Sequence, residues 1–325
     1  MAGTTVKPMA PYDYPHHYPH HYADDYAHHY AHQCAHQYQH RYRHPYPHQN
    51  RRQRGVTLVE LVVVLSVMAV VASIGATLVG RIVAGQQDNR GRLVLAQQAD
   101  GALAQLSDAL SSALPNSLRV ISNAEGVWIE WVPVLEAGRY RQAPDTASAD
   151  PGDPLDLQDS ADNSFDVIGP ALPSTVAGRD LVFGNLGNPD ADAYSGNNRR
   201  AGLAVTNGGQ NLSFTAAPGL TSSPANPRFF VVGTPVTLAC VPSAGGGQEL
   251  VRYSSYGWLS AQPAASATLA AATRTRQLSG LRSCSAAYST ALANVGLLVL
   301  RLQGGVANTD AQLELLHQVA VDNTP

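Results

Sequence analysis

Four groups of side chains in this 325-residue chain have types and spacings suited to chemistry. The first is a single carboxylate, Glu60, at the head of the apolar run in RRQRGVTLVELVVVLSVMAVVASIGATLVG, Arg51 to Gly80. An ionised carboxylate in apolar surroundings is costly unless paired, so this acid predicts a partner charge supplied by another chain. The second is a set of aspartates, Asp150, Asp153, Asp156, Asp159 and Asp162, recurring every three residues with no Lys or Arg between Arg141 and Arg179. Hard cations take clustered carboxylate and carbonyl oxygens, which makes calcium conceivable at Asp150, Asp153 and Asp156. The spacing fits no EF-hand loop, however, and Pro151 and Pro154 point to an irregular surface segment whose Asp side chains cap local turns. The segment GNPDADAYSGNN, residues 187–198, is a weaker candidate of the same kind.

The third group is histidine. Eleven of the twelve His and nine of the fourteen Tyr lie in residues 1–55. From Tyr14 the chain reads YPHH YPHH YADD YAHH YAHQ CAHQ YQHR YRHP YPHQ, a tandem expansion of a four-residue unit. Neutral imidazoles at regular spacing are transition-metal ligands. A solvated low-complexity tail is the other reading and is preferred, since a period of four interrupted by Pro fits neither a strand nor one continuous helix. His317 is the single His outside this leader, and its place in an apolar strand predicts a hydrogen-bonded core or edge residue. The fourth group is the cysteines: Cys34 in the leader, and Cys240 with Cys284 downstream.

No nucleophile elbow, HExxH, Walker loop or Cys-rich zinc pattern occurs, so no enzyme activity and no cofactor are expected. Residues 56–325 hold fifteen Arg against twenty-one Asp and Glu, an acidic balance that argues against nucleic acid as a partner.

The element that must position Glu60 is a helix. Leu61 to Val79 is nineteen uncharged, mostly apolar residues, and at about 1.5 Å rise per residue it spans nearly the whole hydrocarbon core of a bilayer. Arg41, Arg43, Arg51, Arg52 and Arg54 precede it, against Arg81, Arg90 and Arg92 after it, so the N-terminus is expected in the cytoplasm and the rest of the chain across the membrane. A cleaved signal peptide shows the same order, with Ser73-Ile74-Gly75 or Ile74-Gly75-Ala76 as a poor cleavage site, but that reading leaves Glu60 without a reason. Export to an oxidising compartment makes a Cys240–Cys284 disulfide the expected state, the alternative being two free buried thiols. Leu95, Ala99, Leu103, Leu106, Leu110 and Leu114 continue the helical period, and Pro115-Asn116 ends it. One helix from about Val56 to Leu114 is therefore predicted, with kinks near Gly75, Gly80 or Gly85.

Strands follow at 118–121, 126–134, 180–183, 203–206, 211–216, 228–233, 235–241, 249–254, 295–302 and 314–321, punctuated by Gly, Pro and Asn. The expected fold class is α+β, a long N-terminal helix packed on an antiparallel sheet. Four regions are expected: a leader over 1–55, a transmembrane or filament-core helix over 56–80, its amphipathic continuation over 81–115, and a β-rich domain over 116–325. Residues 10–55 contain no Met, Val, Leu or Ile that a bacterial start could encode, so the leader is expected to be at least 47 residues long.

GVTLVE, with Gly55 ahead of the apolar helix and Glu60 five positions on, resembles the class III signal of type IV pilins and pseudopilins. The resemblance implies that a prepilin peptidase cuts between Gly55 and Val56, discards the leader with Cys34, and methylates the new amino terminus at Val56. Glu60, then the fifth residue, would meet the N-terminal ammonium of a neighbouring subunit. Val56 stands where the family usually has Phe or Met, and the leader is longer than the usual short basic peptide. ALPNSLRV, PGDPLDLQDSADNSFDVIGP, FFVVGTPVTLACV and LLHQVAVDNTP resemble the O-type minor pilins of the mannose-sensitive haemagglutinin (MSHA) pilus, which are related to the J-type pseudopilins of type II secretion. The implied partners are the prepilin peptidase, other minor and major pilins and the inner membrane. The implied location is single-pass in that membrane with a periplasmic C-terminal domain, then the filament or its tip. The rival reading is a membrane-anchored periplasmic binding protein or adhesin that does not polymerise.

Overall fold

The computed structural model describes residues 55–220, 224–292, 294–305 and 312–325, so the His/Tyr leader and Cys34 lie outside the described residues. The chain divides into two compact units at Ala69/Val70. In the first, residues 58–69 are the opening turns of helix α1 (Leu58–Ser111). Among the described residues, the second holds the rest of α1 and fourteen strands in two sheets.

No proline falls inside α1, and its 54 residues run uninterrupted past Gly75, Gly80 and Gly85, where kinks are predicted. It ends at Ser111, short of the expected Leu114. There the backbone is claimed by a strand: Leu114 N–H donates to Val132 O at 2.8 Å, Val134 N–H donates to Ser112 O at 3.0 Å, and Ala113 bridges to Pro133. Leu114 is fully buried, but with Val132, Val182, Phe230 and Val232 rather than with the stripe of α1 leucines. Asn116 then takes a left-handed conformation at φ 58° that turns the chain out.

The first sheet has the order β1(Arg119–Asn123), β2(Gly126–Trp131), β10(Val236–Pro242), β11(Gln248–Ser254), β12(Thr273–Leu292), β13(Val295–Gly305), β14(Gln312–Asp322), every pair antiparallel. Leu95, Ala99, Leu103, Leu106 and Leu110 of α1 pack on its Ile129, Leu238, Leu250, Leu298, Leu300 and Leu302. Each leucine so buried contributes about 1.5–3 kcal/mol. On the opposite face Trp128, Ala239, Val241, Val251 and Tyr253 lie with Leu269, from the segment between β11 and β12. β2 is therefore buried along its whole length, which explains why its sequence is apolar on both faces save for Glu130.

The second sheet has the order β6(Arg199–Arg200), β5(Asp180–Phe183), β9(Arg228–Val232), β3(Val134–Tyr140), β4(Ser164–Ile168), β8(Asn211–Ser213), β7(Ala204–Thr206), also antiparallel. Its core is aromatic: Tyr140, Phe165, Phe183, Phe214 and Phe229 meet at centroid distances of 5.2 to 6.5 Å.

The α+β class holds: a long N-terminal helix followed by a domain of antiparallel sheet. The strand predicted over 126–134 ends at Trp131 as β2, because Pro133 cannot donate to a ladder, and only its last residue, Val134, falls in the next strand, β3. β4, β6, the twenty-residue β12 and all of β3 after Val134 lie outside the predicted strands. β12 is rich in Ser, Thr and Arg; the backbone groups of β11 and β13 pair with it on both sides, and only a few of its side chains, Leu278 and Leu281 above all, enter the core.

Candidate functional site

Gly55, Val56 and Thr57 precede the first turn of α1 in non-helical conformation. The Thr57 hydroxyl accepts the backbone N–H of Glu60 at 3.2 Å, and Thr57 O accepts Leu61 N–H at 3.1 Å. Thr57 is therefore the N-cap and Glu60 the third helical residue, the spacing of a capping box. Glu60 is the acid of the first turn, where the helix dipole favours negative charge. The Thr-x-x-Glu signal is legible in the sequence, and the structure adds Thr57 as the residue that caps this terminus. Gly55 has no left-handed φ, and no described atom lies within 4 Å of where a Cβ would stand. The fold itself places no demand for glycine at this position.

Before and after Glu60, as far as Val79, large apolar side chains cover the helix on all sides. Val56, Leu58, Val59, Leu61, Val62, Val63, Val64, Leu65, Val67, Met68, Val70 and Val71 are all exposed, as are Ile74, Leu78 and Val79. An 18-residue window of α1 reaches a mean hydropathy of 2.6, enough by length and composition to cross a membrane. Ser66, Ser73 and Thr77 donate their hydroxyls to the carbonyls of Val63, Val70 and Ile74, each at 2.8 Å, so no hydroxyl there is left to lipid. Large apolar side chains stay exposed as far as Leu93 and Val94, and burial begins at Leu95.

Cys240 on β10 and Cys284 on β12 are joined in a disulfide across the register of β11, with a sequence separation of 44. Cys240 is buried in the α1-facing core, and the loop closed is worth about 4 kcal/mol in the chain-entropy account.

The aspartates of 150–162 turn onto nearby backbone. Asp150 accepts Gly152 N–H, Asp156 accepts Gln158 N–H, Asp159 accepts Ala161 N–H, and Asp162 accepts Asp156 N–H. Asp153 instead accepts the Asn211 side-chain amide at 3.0 Å. The 187–198 segment behaves alike, with Asp192 accepting Tyr194 and Ser195 N–H. Among the described residues no three His, Cys, Asp or Glu side chains converge to hold a metal.

His317 lies half-buried on the edge strand β14, its Nε2 2.6 Å from the Ser107 hydroxyl of α1.

One polar cluster has no sequence signal. Glu130 on β2 is fully buried, pairs with Arg119 at 2.7 Å and accepts the Tyr256 hydroxyl at 2.8 Å. Burial pushes its carboxyl above the ordinary carboxylate value in spite of Arg119, and burial also raises Tyr256 and Tyr194. The Arg119 guanidinium stacks 3.5 Å from the Tyr194 ring centroid, and Tyr194 meets Trp258 edge-on at 6.1 Å. Arg199 lies 4.0 Å over Trp258, whose indole N–H donates to Asp180 at 2.9 Å. This ladder joins β1 and β2 of one sheet to β5 and β6 of the other. Its residues come from five separate stretches of chain, so no local spacing reveals it.

Residues 50–76 match the family described as the prokaryotic N-terminal methylation motif. No curated protein and no solved structure matches the chain. The matched residues contain Gly55, Val56, Thr57, Glu60 and most of the apolar run. The motif is the signature of type IV pilin-like proteins, implies processing by a prepilin peptidase and pilin-type partners, and supports membrane anchoring through the apolar helix.

Proposed function

We propose that the chain is a minor pilin of an MSHA-like type IV pilus, of the O type, made as a precursor and matured at the cytoplasmic face of the inner membrane. The peptidase cuts between Gly55 and Val56, and Val56 receives the methyl group. The observation that carries this reading is the methylation motif over residues 50–76 with Glu60 held as the third residue of an exposed apolar helix. Gly55 supports it too. Its own fold makes no use of the missing side chain, which leaves the position free to serve recognition by the peptidase.

In the mature chain the Val56 ammonium of one subunit meets Glu60 of its neighbour. A carboxylate buried beside an ammonium keeps its charge at far lower cost than one alone, which makes the pair a register mark for assembly. The exposed helical surface through Val94 is then the part that other pilins and the bilayer cover, and the disulfide-bonded β domain lies in the periplasm. The chain is a substrate of the peptidase and not itself an enzyme.

Intact-mass and N-terminal analysis of the chain recovered from its own bacterium tests the proposal. A chain beginning at N-methyl-Val56 and present in sheared filaments is the expected result. Recovery in the secretion machinery instead would make it a J-type pseudopilin. An intact leader, or a cut near Ala76, would overturn the pilin reading in favour of an anchored binding protein.

A further inference from the structure

A cleft of about 380 Å³ opens at the C-terminal end of α1, between that terminus, strands β3 and β9, and the residues after β14. Two of its lining residues, Arg139 on β3 and Arg228 on β9, are directly opposed in the antiparallel register. Opposed residues point to the same face with Cβ atoms about 4.5–5.5 Å apart, and like charges in that relation destabilise the sheet. Both residues are exposed, and neither guanidinium makes a hydrogen bond or a close ion pair with a described residue, although Arg228 acts on Asp322 through its charge.

The rest of the lining compensates this charge only in part. Asp322 is the single carboxylate among the described lining residues; it accepts Thr324 N–H at 2.9 Å, and Arg228 helps hold its carboxyl below the ordinary value, so it offsets one guanidinium of the two. The carbonyls at the end of α1, which carry the negative pole of the helix, have donors of their own: the Ser111 hydroxyl on Asp108 O, the Ser112 hydroxyl on Asp108 O and Ala109 O, and Val134 N–H on Ser112 O. Two guanidiniums against one carboxylate leave one positive charge. Beside them Ala137 and Phe230, the next pair on the same face, form an apolar floor.

We propose that this cleft binds a compact organic monoanion, a carboxylate on a body of sugar size such as a uronate. The carboxylate bridges Arg139 and Arg228 and removes their repulsion, while the ring lies on Phe230 and Ala137. Guanidiniums bind carboxylates through charge-assisted hydrogen bonds, and the contact weakens as salt screens it.

The test uses the full chain in detergent at low salt, titrated calorimetrically with glucuronate, glucose and inorganic sulfate. Glucuronate is expected to bind and to raise the melting temperature. Arg139→Gln and Arg228→Gln are each expected to weaken it at least about tenfold, and Asp322→Asn to tighten it. Both arginines are exposed, so the Gln variants should keep the parent circular dichroism, and Arg139→Lys should restore part of the affinity. The proposal is overturned if glucose binds as well as glucuronate, if sulfate binds and glucuronate does not, if none of the three binds, or if the two Gln variants bind glucuronate like the parent.

Discussion

The imidazole of His317 meets the hydroxyl of Ser107 at 2.6 Å, tying the edge strand β14 to helix α1. A hydrogen bond of this kind contributes about 0.5–1.5 kcal/mol net. Ser107→Ala and His317→Ala should each lower the urea midpoint, and the double variant should fall short of their sum by a coupling in that range. If the two effects simply add, the contact carries no energy.

Thr57→Val removes the N-cap of α1 and should cost the first helical turn about 1 kcal/mol, with Thr57→Ser restoring it. The proposed cleavage after Gly55 should continue in Glu60→Ala and fail in Gly55→Val, while incorporation of Glu60→Ala into filaments should be lost. Mass spectrometry separates the two steps. Filaments containing Glu60→Ala at the parent level would rule out the pairing with a neighbouring ammonium.

Reduction of the Cys240–Cys284 bond, or replacement of both residues by Ala, should lower the stability of the β domain by about 4 kcal/mol. Chemical denaturation with and without dithiothreitol measures this, and the double variant should no longer respond to the reductant.

Two carboxylates should give the domain opposite responses to pH. Burial pushes Asp166 up, but Asp153 N–H, the Asn211 amide and Arg141 together hold it below its ordinary 3.8. Its contribution is complete above that value and is lost as pH falls through the lower folded value. Glu130 is raised from 4.5, mainly by burial, so its contribution is complete below 4.5 and is lost as pH rises through the higher folded value. Denaturation midpoints followed from about pH 3 to 7 should show a flatter acid limb in Asp166→Asn and a flatter decline above pH 4.5 in Glu130→Gln.

Arg119→Ala leaves Glu130 buried without its cation and removes the stack on Tyr194, and should cost about 3–5 kcal/mol. In Glu130→Gln the same substitution should cost less, because no buried charge is stranded. Equal costs in the two backgrounds would place the whole effect in the stack.

Much of this was legible in the chain itself. A helix of this length follows from local rules: an apolar run without proline, a threonine three residues before a glutamate, and leucines at the helical period. Strands with a strong apolar run, such as GVWIEW or FFVV, are legible for the same reason. Nothing comparable marks β12, whose Ser, Thr and Arg side chains need not be apolar when both its neighbours supply the hydrogen bonds. Leu114 fits the helical spacing, yet the chain leaves the helix at Ser111 because the backbone between β2 and β3 pairs with it.

The same division holds for function. The sequence by itself determined the Gly55-to-Glu60 motif and the apolar helix, because both depend on residues that are neighbours in the chain. Only the tertiary structure decided that Leu114 belongs to a second core, that Glu130 and Arg119 meet Tyr194, and that Arg139 stands opposite Arg228. Those relations depend on which strands pair and in what register, and that pairing is set by burial summed over the whole domain rather than by any short stretch of it.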